Sequence, residues 1–146
     1  MDFAKLLQDT DCNCLEKTIQ DNENLYARKI NTPNPVLDRD FKSYWQKGRR
    51  ADECKEICGL KGLSANSWDE NDKNAIIKKY LKTFTITPRH KDCIFVFRLL
   101  PNSGLIEHTP NKKDPTHYDF YKSDNFTLDM LESHSIIPLK DFIDNE

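Results

Sequence analysis

The chain has 146 residues, 22 Lys and Arg against 24 Asp and Glu, and 37% hydrophobic side chains. That is the length of one domain, and it suffices to bury a core without staples. No apolar run approaches the ~18 residues of a membrane span, and four glycines are too few for a Gly-rich phosphate cradle.

In chain order, Phe3 to Leu7 reads as one short helical turn, and Leu15 and Ile19 suggest a helix through 15–20. Asp21-Asn22-Glu23-Asn24 breaks it. Leu25 to Ile30 restarts as a strand with Leu25, Ala27 and Lys29 on one face. Thr32-Pro33-Asn34-Pro35 is a loop, because each proline removes a donor and disfavours the α region before it. Phe41, Tyr44 and Trp45 stand at helical spacing and Gly48 ends that element. Ala51 to Cys58 forms a further helix, with Gly59 as its C′ residue and a long loop from Gly59 to Trp68.

The clearest helix follows. Ser67 or Asp69 caps it, Asp69, Glu70 and Asp72 sit in its first turn, and Lys78, Lys79 and Lys82 near its end, the order a helix macrodipole favours. Its apolar stripe is Ile76, Ile77, Tyr80, Leu81 and Phe84. After Pro88 the period changes. Cys93 to Leu100 reads as a central strand buried on both faces. Pro101-Asn102-Ser103-Gly104 turns the chain into a hairpin partner at Leu105 to Thr109, and a third strand covers His117 to Tyr121. Phe126 to Leu131 reads as a helix capped by Asn125 or Thr127. The order predicts one α+β domain over residues 1–146: N-terminal helices packed on a small, mainly antiparallel sheet of about three to four strands, with a C-terminal helix.

The net charge of −2 is unevenly distributed. Residues 1–40 hold 5 basic and 8 acidic side chains, residues 41–100 hold 13 and 7, and residues 101–146 hold 4 and 9. Either the acidic ends fold over the basic middle, or that middle faces a partner. The start, Met1 to Leu7, lacks the pattern of a secretory leader. Five cysteines, an odd number, fit a closed disulfide framework poorly. The expectation is a cytoplasmic protein with reduced thiols.

Four groups of residues could carry chemistry. Cys12 and Cys14 with Cys54 and Cys58 make two pairs whose four thiolates would complete a structural zinc site, although the two helical thiols also stand where small apolar side chains belong. His117 and Asp119, two apart on a strand, share a face. With His108 on the neighbouring strand they are the ligand types of a facial triad, or an acid–base set. Cys93, beside His90, Lys91 and Asp92, is a third possibility as a nucleophile, which would need a lowered thiol pKa. Lys42, Lys47, Arg49, Arg50, Lys55 and Lys61 surround Tyr44 and Trp45, so the basic segment 42–61 could meet nucleic acid. The long loop after Gly59 excludes helix-turn-helix geometry.

No serine-hydrolase, zinc-protease, P-loop or dinucleotide fingerprint is present. The leading expectation is a small accessory or interaction protein of the adaptor, immunity or regulatory type, with a protein partner. A metal-dependent or acid–base enzyme using His108, His117 and Asp119 comes second, and a nucleic-acid-binding module third.

Overall fold

The computed structural model describes residues 1–31, 36 and 38–143; the 32–35 loop expected above lies outside them. The architecture is a six-stranded antiparallel sheet in the order β4-β5-β2-β1-β3-β6. Its strands are β1 (Leu25–Ile30), β2 (Leu63–Ser67), β3 (Cys93–Leu99), β4 (Gly104–His108), β5 (His117–Lys122) and β6 (Leu131–Pro138). Two α-helices accompany it, α1 (Cys54–Lys61) and α2 (Lys73–Thr83), with short 3-10 turns between elements. This corrects the expected helices on a three- to four-stranded sheet: the fold is mainly sheet, and among the described residues no C-terminal helix closes it.

Each correction has a local cause. The segment expected to be helical at 15–20 is tied down as a bridge, with Ile19 N–H donating to the Ile106 carbonyl at 2.8 Å and Ile106 N–H returning at 2.9 Å. Six residues cannot offset the cost of helix nucleation, whereas the exposed edge of β4 supplies ready partners. The loop expected between Gly59 and Trp68 contains β2, which pairs with β5 from Leu63↔Phe120 to Asn66↔His117. The helix expected at 126–131 shrinks to a 3-10 turn at Leu128–Met130, and the chain then enters β6, which pairs with β3 along its length. Helix α1 runs through Gly59 and ends at Gly62, whose N–H caps the Cys58 carbonyl.

Both faces of the sheet are covered. On one face Tyr26, Leu63, Phe95, Phe97, Ile106 and Phe120 are buried beneath Phe41, which meets Phe95 and Phe97 edge-on at 6.0 and 5.8 Å. Burying an aromatic ring of this size stabilises by about 2–3 kcal/mol. On the other face Ala27, Ile94 and Val96 pack against Ile76, Ile77 and Tyr80 of α2. A third cluster joins Phe3, Ile57 and Tyr121 around Cys12 and Cys14.

That cluster holds two disulfides, Cys12–Cys54 and Cys14–Cys58, with Cα separations of 5.4 and 5.3 Å. Cys54 and Cys58, one turn apart, share a face of α1, and the alternate residues Cys12 and Cys14 meet them in parallel. The N-terminal segment is held further along by charge. Asp124 accepts from the N–H groups of Ala4 and Lys5 at 3.0 and 2.9 Å. The buried Lys61 ammonium donates to the carbonyls of Leu6 and Gln8 and to Thr10 Oγ1, at 2.6, 2.9 and 3.1 Å.

Candidate functional site

The ladder between β1 and β2 is short. Tyr26↔Ser67 and Ala27↔Asn66 pair, after which β1 continues along β3 and β2 along β5. Arg28 spans the gap, donating from Nε to the Asp40 carbonyl at 2.9 Å and from Nη1 to the Ser64 carbonyl at 2.7 Å. A cavity of about 900 Å³ opens there, walled by β1, β2, α2, the 39–47 segment and the 111–114 turn.

Its wall is cationic. Arg28, Lys29, Arg39, Lys42, Lys47, Lys79 and Lys113 line it, against the carboxylates of Asp40 and Asp114. Lys79 is committed to Asp114 at 2.5 Å, and Lys29 lies 3.9 Å from Asp92. Among the described residues Arg39, Lys42, Lys47 and Lys113 have no carboxylate partner, so their charge is presented to whatever enters. Tyr44 stands exposed at the rim, with Lys47 and Arg49 over its ring at 5.4 and 5.0 Å.

The floor is a polar layer of the sheet. Asn66 donates to Asp114 Oδ1 at 2.8 Å and to Thr116 Oγ1 at 3.0 Å, and accepts from the Tyr80 hydroxyl at 2.8 Å. Beside it, Ser64 Oγ lies 3.1 Å from His117 Nε2. The other ring nitrogen, Nδ1, lies 2.7 Å from Thr109 Oγ1 and 3.2 Å from the Thr109 carbonyl. The Thr109 hydroxyl is also close enough to Asp119 to favour its carboxylate form. Asp119 is buried, and that burial pushes its carboxyl up to about 6, against the opposing pull of His117 and the Thr109 hydroxyl.

The structure separates the residues expected to act together. His117 and Asp119 share the face turned toward the cleft. His108 is registered opposite Tyr118, while Asp119 is opposite Glu107, so His108 projects to the other side of the sheet. There it stacks on Tyr118 at 4.7 Å and bonds the Pro115 carbonyl at 3.0 Å. A period of two on β5, combined with direct cross-strand pairing, decides this. The sulfurs of Cys12, Cys14, Cys54 and Cys58 are joined as disulfides and so are not the thiolates a zinc site requires. Among the described residues no cluster of three or more His, Cys, Asp or Glu side chains could hold a metal ion.

Cys93 is a buried free thiol that donates to the Lys91 carbonyl at 3.3 Å. Burial and Asp92 push its pKa up, the opposite of what activates a nucleophile. The basic segment 42–61 divides. Lys42 and Lys47 line the cleft, Arg50 covers the Trp45 ring at 4.0 Å, and Lys61 turns inward to the N-terminal carbonyls.

Sequence reasoning missed Ser64, Asn66, Thr109 and Lys113. The alternation Leu63-Ser64-Ala65-Asn66 is a weak strand signal that would have placed the first two on one face. Compared with protein-family models, curated proteins and solved structures, the chain matches none.

Proposed function

We propose that the protein is a binding protein whose cationic cleft takes a short acidic segment of a partner protein. The observation that carries this reading is the set of cleft cations, Arg39, Lys42, Lys47 and Lys113, that no carboxylate of the described residues neutralises. A concave wall of one sign concentrates field within a Debye length, so a local anionic segment is favoured even though the whole chain is slightly acidic. A long nucleic-acid backbone would also meet the net charge of −2 and the carboxylates of Asp40 and Asp114, which disfavours it as the partner.

No helix is long and apolar enough to cross a membrane among the described residues. Disulfides persist in oxidising compartments and are rare in the cytosol. This reading therefore sets aside the cytoplasmic expectation and places the protein where Cys12–Cys54 and Cys14–Cys58 are stable.

Fluorescence anisotropy with a labelled alternating Asp-Glu octapeptide tests the proposal. Binding is expected at about 50 mM salt and should weaken by roughly tenfold or more at about 300 mM. The double substitution Lys42→Glu/Lys113→Glu should abolish it. Binding of a single-stranded oligonucleotide of the same length, with none of the peptide, would transfer the site to nucleic acid. No binding of either would refute a cationic docking site.

A further inference from the structure

The hydrogen bonds on the cleft floor have one consistent direction. The Thr109 carbonyl can accept but not donate, so the His117 proton sits on Nδ1, shared between that carbonyl and Thr109 Oγ1. Nε2 is then unprotonated and accepts from Ser64 Oγ–H at 3.1 Å. Thr109 Oγ1, having accepted from the ring, has its own proton free to donate to the Asp119 carboxylate. Ser64, His117 and Thr109 form a hydrogen-bonded chain that runs toward Asp119.

Its two ends differ in environment. Asp119 is buried beneath Gly62, whereas Ser64 is exposed and lines the cleft. A hydroxyl held against the basic nitrogen of an imidazole, with that imidazole fixed in the correct tautomer by a further acceptor, is the arrangement that activates a serine. Lys42 and Lys113 line the same cavity, where they can hold an anionic group of the reactant.

We propose that Ser64 is a nucleophile, with His117 as its general base, toward carboxylic esters that carry a negative charge. The choice of an anionic substrate rests on the reading of the cleft given above; the nucleophile does not. In the first step Ser64 Oγ bonds to the ester carbonyl carbon and its proton passes to His117 Nε2. The tetrahedral adduct collapses, and the departing alkoxide takes that proton and leaves as the alcohol. Water then attacks the acyl-Ser64 ester, giving a proton to Nε2 that returns to Ser64 Oγ as the carboxylic acid departs. Thr109 and Asp119 are positioning residues: they hold the tautomer and face the imidazolium that forms between the steps.

Diisopropyl fluorophosphate, a neutral reagent from which a serine displaces fluoride, tests the nucleophile. One diisopropylphosphoryl group is expected on Ser64 by peptide mass mapping. Labelling should be absent in Ser64→Ala and slowed at least ~100-fold in His117→Gln. Thr109→Val, which removes the relay hydroxyl, should slow labelling and alter its pH profile, while Thr109→Ser restores both. No label on Ser64 in the folded protein, or a rate indifferent to His117→Gln, overturns the proposal. The substrate class is tested with p-nitrophenyl hydrogen succinate against p-nitrophenyl butyrate. The anionic ester should be preferred by roughly tenfold in kcat/KM, and Lys42→Glu/Lys113→Glu should erase the preference while Ser64 still labels. Equal turnover of the two esters by a protein that labels would overturn the anionic substrate and leave the nucleophile standing, while the cationic-cleft reading stands or falls on the peptide binding assay.

Discussion

Gly62 lies directly over Asp119: a Cβ added at Gly62 would come within 2.9 Å of Asp119 Cβ and 3.1 Å of its Cγ. The backbone at Gly62 is ordinary extended chain, so the position needs glycine for space and not for conformation. Asp119 is fixed on a paired strand and cannot retreat. Gly62→Ala should therefore destabilise the fold by about 1–3 kcal/mol, the usual cost of overpacking, read as a lowered urea midpoint at unchanged m-value. An alanine variant as stable as the parent would mean that β2 and β5 are not in this register.

The raised pKa of Asp119 has a definite pH signature. Its carboxyl titrates near 3.8 when unfolded and about 6 when folded, so the folded state holds the extra proton between those values. Stability should fall as pH rises from about 4 to about 6, by at most ~2 kcal/mol, and then level off. Asp119→Asn should flatten that segment of the curve, because the amide carries no charge to desolvate. Urea unfolding across pH 3.5–7 checks this, and parallel curves for the two proteins would contradict the burial.

The two disulfides close loops whose ends are 42 and 44 residues apart. Closing one such loop is worth about 4 kcal/mol in the chain-entropy account, and the second, which overlaps it over residues 14–54, adds much less. Cys14→Ser/Cys58→Ser should accordingly cost little, and reduction of both bridges several kcal/mol. Thiol titration in denaturant should give one reactive group, Cys93, before reduction and all five cysteines after it. Five reactive thiols without reductant would remove the bridges.

Lys61 satisfies two backbone carbonyls and a hydroxyl of the N-terminal segment from a buried position. Lys61→Met keeps most of the stem and removes all three donors. It should cost about 2 kcal/mol and expose the Leu6–Thr10 stretch to proteolysis, while leaving α2 and β3 protected in hydrogen exchange. Unchanged cleavage near residue 8 would show that Asp124 alone holds the segment.

Parts of the sheet are legible in the sequence because their signals are local. Cys93 to Leu99 is a run of β-prone apolar residues between a loop and a turn, and the Pro101–Gly104 turn points to the strand after it. β2 and β6 are different. Leu-Ser-Ala-Asn-Ser has two apolar residues, and in β6 the opening Leu131 is followed by the polar run Glu-Ser-His-Ser. Both are strands because β5, β1 and β3 offer them unpaired backbone groups, and such pairing overrides weak intrinsic preference. The C-terminal helix failed for the same reason, since the edge of β3 provides more hydrogen bonds than one isolated helical turn.

By itself the sequence marked β1, β3, β4, β5 and α2, showed that His117 and Asp119 share a face, and showed that cations concentrate in the middle of the chain. Those are properties of spacing along the backbone. Tertiary structure decided which of these residues meet. Register placed His108 on the opposite face from Asp119 and brought Ser64, a residue with only a weak sequence signal, to His117 Nε2. The same packing turned Lys61 inward and left Lys42 and Lys113 facing the cleft. Within the basic middle, N-terminal backbone carbonyls take up Lys61, and the gap between β1 and β2 presents other cations. Side-chain meetings between residues about fifty apart depend on strand order, which no local pattern encodes.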